Sequence, residues 1–439
     1  MKDYLIYFAQ AYPNFRRAEL ESLADLYNIP LDLSHHDEAS PFIIVQLEND
    51  HQAKQLLARS ILSRGIYELY GQGESIDKIH EQIKALNEKL DAIRHWNQAS
   101  FKFDFIGYMG GRSNTTKVDI INLFRYLPLE GKIQMKNPDQ VFTVLEEYVR
   151  EEELKQTIPV TVWFGRQIQL SARVNNILDK YDLKQRKYIG TTSFEAELSL
   201  VTCNIGQVAP GKLVYDPFAG TGSFLVAAAE FGGYPLGSDI DIRILRGNGK
   251  DRDIRANFNQ YNTLSQFVDV LTMDFTHSAL RNDIGIQCIV CDPPYGVREG
   301  LKVCGAKDPE RAAGREKIVI DGELAHLKRD FIQPKKPYDL ANLLADLLEF
   351  SANTLPIGGR LAFWMPTAND DFEPHLVPQH QQLRLVYNLE QEFNKWSRRL
   401  LVYTKEDSEY EGVTSNGLKM HNIRNFRERY FHSFSDDSR

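Results

Sequence analysis

Four cysteines (Cys203, Cys288, Cys291 and Cys304) in 439 residues are too few for a disulfide framework. Cys288 and Cys291 form one C-x-x-C, but no second pair matches it, and strand alternation would set the two on opposite faces. They read as reduced core thiols, and no metal is expected. No apolar run approaches membrane-spanning length, and the first residues lack a signal-peptide pattern, so a soluble, cytoplasmic protein is expected. Low-complexity tracts are missing as well. The chain also lacks an excess of positive charge. Its net charge of -8 argues against bulk attraction to nucleic acid, although a local basic face stays open because distribution decides.

Two or three domains are the expectation for this length. Residues 4–9, 42–47 and 66–70 read as strands, with helices over 15–27 and 50–59 between them, the second opened by Asn49/Asp50. This order suggests a small α+β unit ending near residue 75. Residues 76–96 and 117–126 read as helices, and 101–105, 133–135, 141–146 and 160–169 as strands. Residues 172–192 lack periodicity and carry Arg173, Lys180, Lys184, Arg186 and Lys187, which suggests a positively charged linker.

From residue 194 onward strands and helices alternate as in a doubly wound parallel sheet. Strands are expected at 212–215, 235–238, 268–273, 286–291 and 359–365, with an antiparallel pair at 383–393 and 399–404. Four strand ends carry acids: Asp216, Asp239, Asp274 and Asp292. Ligands in such sheets bind at the carboxyl ends of the strands. After Asp216 the turn Pro217-Phe218-Ala219-Gly220-Thr221-Gly222 lets the backbone approach a ligand closely. A dinucleotide fingerprint fails, because its third glycine position is Leu225, and no Walker pattern occurs. Asp216 would repel a pyrophosphate and suits a cationic amine, which favours S-adenosylmethionine over NAD or ATP. Asp239 has the position of a ribose-binding acid, whereas Asp241 could cap the next helix. Asp274 could accept from an adenine amino group, with Phe275 stacked on the ring.

The stretch Asp292-Pro293-Pro294-Tyr295-Gly296 ends a buried strand, since prolines cannot continue a ladder. Asp292 and the carbonyl of Pro293 could take the two hydrogens of a substrate amine, while Tyr295 lies against its ring. Together with Asp216–Ser223, this motif resembles the class I S-adenosylmethionine-dependent amino-methyltransferases. The Asp-Pro-Pro-Tyr form is shared by DNA adenine and RNA guanine enzymes.

Further stretches narrow the resemblance to the eukaryotic tRNA guanine N2-methyltransferases that carry a THUMP domain. These are Phe15–Leu23, Thr191–Leu198, Asn394–Leu400 and, for THUMP itself, Gly131–Asp139. The resemblance implies a ferredoxin-like unit (1–75), a THUMP RNA-binding domain (76–180), a linker (181–192), a Rossmann-like methyltransferase domain (193–405) and a polar tail (406–439). It implies methylation of the exocyclic N2 amine of guanosine 10 in tRNA, and a heterodimer with a small zinc-containing activator subunit. The charged run Arg150-Glu151-Glu152-Glu153 departs from the family's THUMP pattern.

Candidates for holding RNA are Lys132, Lys136, Arg166, Arg173, Arg186, Lys395 and Arg398. Residues 297–337 read as a long irregular insertion with ten basic and seven acidic residues, a possible basic flap. Two other readings stay open: an N6-adenine methyltransferase, and an RNA chaperone with a vestigial catalytic turn.

Overall fold

The computed structural model describes residues 1–151, 156–191, 193–295, 301–306, 308, 310, 313–314, 317–328, 331–369, 372 and 376–407. It divides into two compact units, Met1–Asn176 and the chain from Ile177 onward.

The first unit is one six-stranded sheet with helices. Its strands are β1 (Lys2–Phe8), β2 (Phe42–Leu47), β3 (Ser63–Gly73), β4 (Phe101–Tyr108), β5 (Gln140–Glu151) and β6 (Gln156–Leu170). Their spatial order is β2-β1-β3-β6-β5-β4. Helices α1 (Pro13–Tyr27) and α2 (Asp50–Ala58) supply apolar residues to a core with β1 and β2, including Leu20, Leu23, Leu56 and Leu57. Asn49 caps α2 by accepting from the N–H groups of His51 and Gln52. Helices α3 (Ile76–Ala85), α4 (Asn87–Arg94) and α5 (Asn114–Leu123) follow the same logic around Phe142 and Phe164.

Three expectations change here. The boundary near residue 75 does not divide two sheets, because β3 pairs with both β1 and β6. The helix expected over 76–96 breaks at Leu86, whose backbone is extended. The strand expected at 133–135 is a single bridge between Phe101 and Ile133.

The second unit begins with α6 (Ile177–Tyr181) and α7 (Ala196–Ile205). The expected linker is packed structure: Tyr181, Arg186 and Tyr188 are buried. Isolated anchor residues, rather than a periodic stripe, hold this segment, so periodicity had nothing to register.

The sheet itself contains β7 (Leu213–Asp216), β8 (Tyr234–Asp239), β9 (Asp269–Thr272), β10 (Ile286–Cys291), β15 (Arg360–Ala368), β16 (Leu383–Glu392) and β17 (Trp396–Lys405). Their order is β16-β17-β15-β10-β7-β8-β9. The pairings of β7 with β8, β8 with β9, β7 with β10 and β10 with β15 are parallel and β16 with β17 is antiparallel, as the sequence suggested, and β15 also pairs antiparallel with β17. Helices α8 (Ser223–Glu230), α9 (Ile242–Arg246), α10 (Ile254–Gln260) and α11 (Leu340–Thr354) lie between strands in sequence. The α11 stripe of Leu340, Leu343, Leu344, Leu347 and Leu348 is buried in the core with Tyr215, Ile289 and Phe363.

Cys291 belongs to that core, while Cys288 points the other way and reaches the Gln207 carbonyl at 3.6 Å. The insertion is more regular than expected. It contains two short antiparallel pairs, β11 (Lys302–Cys304) with β14 (Lys335–Pro337) and the hairpin of β12 (Val319–Ile320) with β13 (Glu323–Leu324).

Candidate active site at the switch point of the parallel sheet

From β7 the chain builds outward through β8 to β9, then returns to place β10 on the other side of β7. That reversal is the switch point where open α/β sheets bind ligands. Asp216 ends β7 and Asp292 follows β10, so the two acids expected to act on cofactor and substrate stand on adjacent strands.

The glycine turn has the backbone the sequence called for. Gly220 (φ 52°) and Gly222 (φ 83°) are both left-handed. A Cβ on Gly220 would face open space, its nearest neighbour being the Phe218 carbonyl at 3.9 Å, whereas one on Gly222 would press on Ile254 at 3.2 Å. Gly220 therefore leaves an approach for a ligand, and Gly222 allows close packing. Asp239 holds the turn from the next strand. Its Oδ2 accepts the Gly220 N–H at 3.0 Å and its Oδ1 the Asp241 N–H at 2.8 Å. Asp241 is the cap of α9, accepting from the Arg243 N–H. The Arg243 side chain holds its pKa down to about 2.

Asp216 is buried, and its Oδ1 accepts the Phe218 N–H at 3.0 Å. Burial, reinforced by the carboxylates of Asp239 and Asp292, raises its pKa well above the usual carboxylate range. Such a site has a strong preference for a cation.

At the end of β9, Asp274 is more heavily engaged than expected. Its Oδ1 accepts from the N–H and hydroxyl of Thr276, and its Oδ2 from the Cys304 N–H at 2.7 Å. Little acceptor capacity is left for an adenine amine. Phe275 is buried with its ring against Phe218 and Phe350, so the core takes the ring expected to stack on a ligand. The insertion reaches this edge, because Cys304 is on β11 and Lys335 on β14 lies 3.9 Å from Asp241.

Asp292 is partly open to solvent, and Pro293 is buried. Burial raises the Asp292 carboxyl to about 6, against the opposing effects of the Tyr295 hydroxyl, which donates to Asp292 Oδ1, and of Arg398. Burial and the adjacent Asp292 hold the Tyr295 phenol well above its ordinary value. Gly296 lies outside the described residues.

The RNA-binding candidates separate. Lys132, Lys136 and Lys395 are exposed. Arg173 is half-buried and donates to the Ile61 carbonyl at 3.2 Å. Arg166 is a correction: its guanidinium is buried, paired with Glu68 at 2.8 Å and Asp50 at 2.5 Å, and stacked on Trp96. It is a structural cation. Arg186 is also buried, donating to Ser223 Oγ at 3.2 Å and Tyr261 Oη at 3.4 Å. Arg398 is enclosed by Phe194, Trp364 and Phe393 rather than presented to solvent. Sequence reasoning treated each cation as exposed because most are, and their partners lie far away in the chain. It also missed Ser193, whose hydroxyl meets that of Thr221 at 2.7 Å, and Glu195, which pairs with Arg398 at 2.6 Å. Both lie in a stretch that had stood out only by resemblance. Arg298, Lys307, Arg311, Arg315 and Arg329 of the expected flap lie outside the described residues.

The sheet order, the glycine turn and the acids at the strand ends define a class I methyltransferase domain. Residues 184–305 match the family described as RMKL-like, methyltransferase domain, and residues 2–173 match the Tmrp11 THUMP N-terminal domain. Over 437 residues the chain is 56% identical to the tRNA (guanine(10)-N(2))-methyltransferase of Saccharomyces cerevisiae, covering 99% of this chain and 100% of that one. The protein of the same name from Schizosaccharomyces pombe is 36% identical, covering 99% and 97%. The human protein named tRNA (guanine(10)-N(2))-methyltransferase TRMT11 is 32% identical, covering 98% and 95%. The chain belongs to the tRNA (guanine(10)-N(2))-methyltransferase family.

Proposed function

We propose that the second unit methylates the N2 amine of guanosine 10 in tRNA, with Asp216 holding the methyl donor and Asp292 the amine. The observation that carries this reading is the placement of those two carboxylates on adjacent parallel strands at the switch point. When bound, S-adenosylmethionine supplies an electrophilic methyl group on a sulfonium and leaves as a neutral thioether.

The residues fit that donor. Asp216 is a buried acid whose raised pKa marks a place where a cationic amine would be favoured. Gly220 leaves room for close approach, and Asp239 keeps acceptor capacity for ribose hydroxyls beyond the two N–H groups it already holds. Phe218 flanks the same turn.

A guanine amine is a weak nucleophile because its lone pair is delocalised into the ring. Asp292 and the Pro293 carbonyl would accept its two hydrogens and turn the lone pair toward the methyl carbon. As the N–C bond forms and the C–S bond breaks, one N2 proton must leave. A carboxylate with a pKa near 6 is ionised at neutral pH and close enough to it to take that proton. Tyr295 would release Asp292 and lie on the extruded base, since chemistry on a paired base requires it to leave the stack.

Asp292→Ala should abolish methyl transfer while tRNA binding changes little. Equal loss of both would contradict the assignment. Nucleoside analysis of labelled tRNA separates N2-methylguanosine from N6-methyladenosine.

Lys132, Lys136, Arg173 and Lys395 are proposed to contact RNA, with binding that weakens steeply as salt rises. The proposed setting is the cytoplasm, in keeping with four free cysteines. Among the described residues no helix is long and apolar enough to cross a membrane. A small zinc-containing activator subunit is the proposed partner, and co-expression with it should raise activity.

A further inference from the structure

Strand parity decides which side of the sheet Asp292 faces. Cys291 pairs with Phe363, and both are in the core shared with α11. Val290, paired with Ala362, faces α7, where both side chains approach Gly206. Continued for one residue, the alternation returns Asp292 to the α7 side, level with Trp364. Trp364 is on that side too, donating its indole N–H to Thr202 Oγ1 of α7 at 3.1 Å.

Arg398 reaches the same place from β17. It pairs with Pro366, diagonal to Trp364, whose own partner is Leu400. Its guanidinium lies 4.3 Å from the Phe194 ring centroid and 5.0 Å from that of Trp364. Nη2 donates to Glu195 Oε1 at 2.6 Å, and Nε donates to Gln391 Oε1. Such a clamp holds the cation in one orientation. Two stretches that stood apart in the sequence, 191–198 and 394–400, thus meet over the Trp364 ring, on the side of the sheet to which the alternation assigns Asp292.

We propose that Arg398 is the positioning residue for Asp292, with the Glu195–Gln391–aromatic clamp fixing the cation that keeps this carboxylate charged and aimed at the amine. The inference rests on Asp292 being the acid of methyl transfer. Tyr295 on its own turn bonds Asp292, and the charges of Asp216 on β7 and Arg398 on β17 act on it; the neighbouring thiol of Cys291 faces the α11 side. Among these groups Arg398 is the cation, and its charge also opposes the burial that raises the Tyr295 phenol. Glu195 ties the clamp to Ser193, two residues away, whose hydroxyl bonds Thr221 in the glycine turn. The clamp is therefore continuous in sequence with a residue that holds the glycine turn.

The test is single-turnover methyl transfer to tRNA by the full-length protein between pH 5 and 9, with tRNA and cofactor binding measured separately. Arg398→Gln should move the acid limb of the rate up by about one pH unit. That shift lowers the rate at pH 6 roughly fivefold, with both affinities unchanged. Arg398→Lys keeps the charge but cannot grip Glu195 and Gln391 together. It should restore the limb and lower the rate at saturating tRNA without raising the KM for tRNA.

An unshifted limb in folded Arg398→Gln overturns the proposal, as does a loss expressed only as weaker tRNA binding. Should Arg398→Gln fail to fold, Arg398→Lys decides: a lower kcat at constant KM supports the role, and any other result refutes it. Asp292→Asn separates the two levels. Full activity there defeats the reading of the site itself, whereas an inactive Asp292→Asn with an unshifted Arg398→Gln defeats this inference alone.

Discussion

Gly220 donates its backbone N–H to the Asp239 carboxylate at 3.0 Å, so the end of β8 holds the shape of the turn that follows β7. Asp239→Ala should weaken S-adenosylmethionine binding roughly tenfold to a hundredfold, the range for losing a hydrogen bond to a charged group. Calorimetry with the purified protein reads this directly, and unchanged affinity would show that the turn holds itself.

Asp216→Ala should remove most cofactor binding, because the cationic end of the ligand loses its counter-charge. Binding of tRNA should stay near wild type. The two titrations together distinguish a cofactor role from general loss of structure.

Asp292→Asn should make the protein more stable and inactive. Folding raises the Asp292 pKa from 3.8 to about 6, so the folded state favours the protonated acid. The stabilisation from this group is complete below 3.8 and lost as pH rises through 6. A rise of that size corresponds to about 3 kcal/mol at most. The variant's advantage in chemical unfolding should therefore be near zero at about pH 4 and reach its full size by about pH 8. A constant difference across that range would place the Asp292 charge in a solvated position.

For Arg166→Met the expectation is a loss of about 3 to 5 kcal/mol, because Glu68 and Asp50 keep their charges and lose their shared cation. Lys136→Ala should leave stability unchanged and weaken tRNA binding. Urea unfolding and a tRNA titration on both variants would separate a structural cation from an RNA contact.

Gly222→Ala should destabilise by about 1 to 2 kcal/mol, since its φ of 83° is unfavourable for any side chain and Ile254 waits 3.2 Å away. Gly220→Ala meets open space and should affect cofactor affinity more than the thermal midpoint.

The parallel sheet and the chemistry at its edge were legible because each depends on a short local pattern. An apolar run stopped by Pro293 and Pro294 marks β10, and acids at regular strand ends mark the cofactor edge. Even the antiparallel return of β16 and β17 showed in the spacing. Pairings between distant residues were not legible. Arg166 and Asp50 are 116 positions apart, and Arg398 and Glu195 203, so a buried cation looked like an exposed one. Short helices opened by a single aspartate, such as α10 with its cap Asp253, leave too little periodicity to detect. Asp274 shows the converse: its position was read correctly, but its partners, Thr276 close by and Cys304 thirty positions on, were not.

The single continuous sheet of the first unit limits how this protein can be cut. Between β3 and β6 the pairing runs from Gly65 to Gly73 with two register shifts, and it joins a strand that precedes residue 75 to one that follows it. Separating the halves there would bare a full-length raw edge on each fragment, and exposed edges recruit other strands. A transplant of the first unit into another enzyme would have to carry residues 1–176 intact.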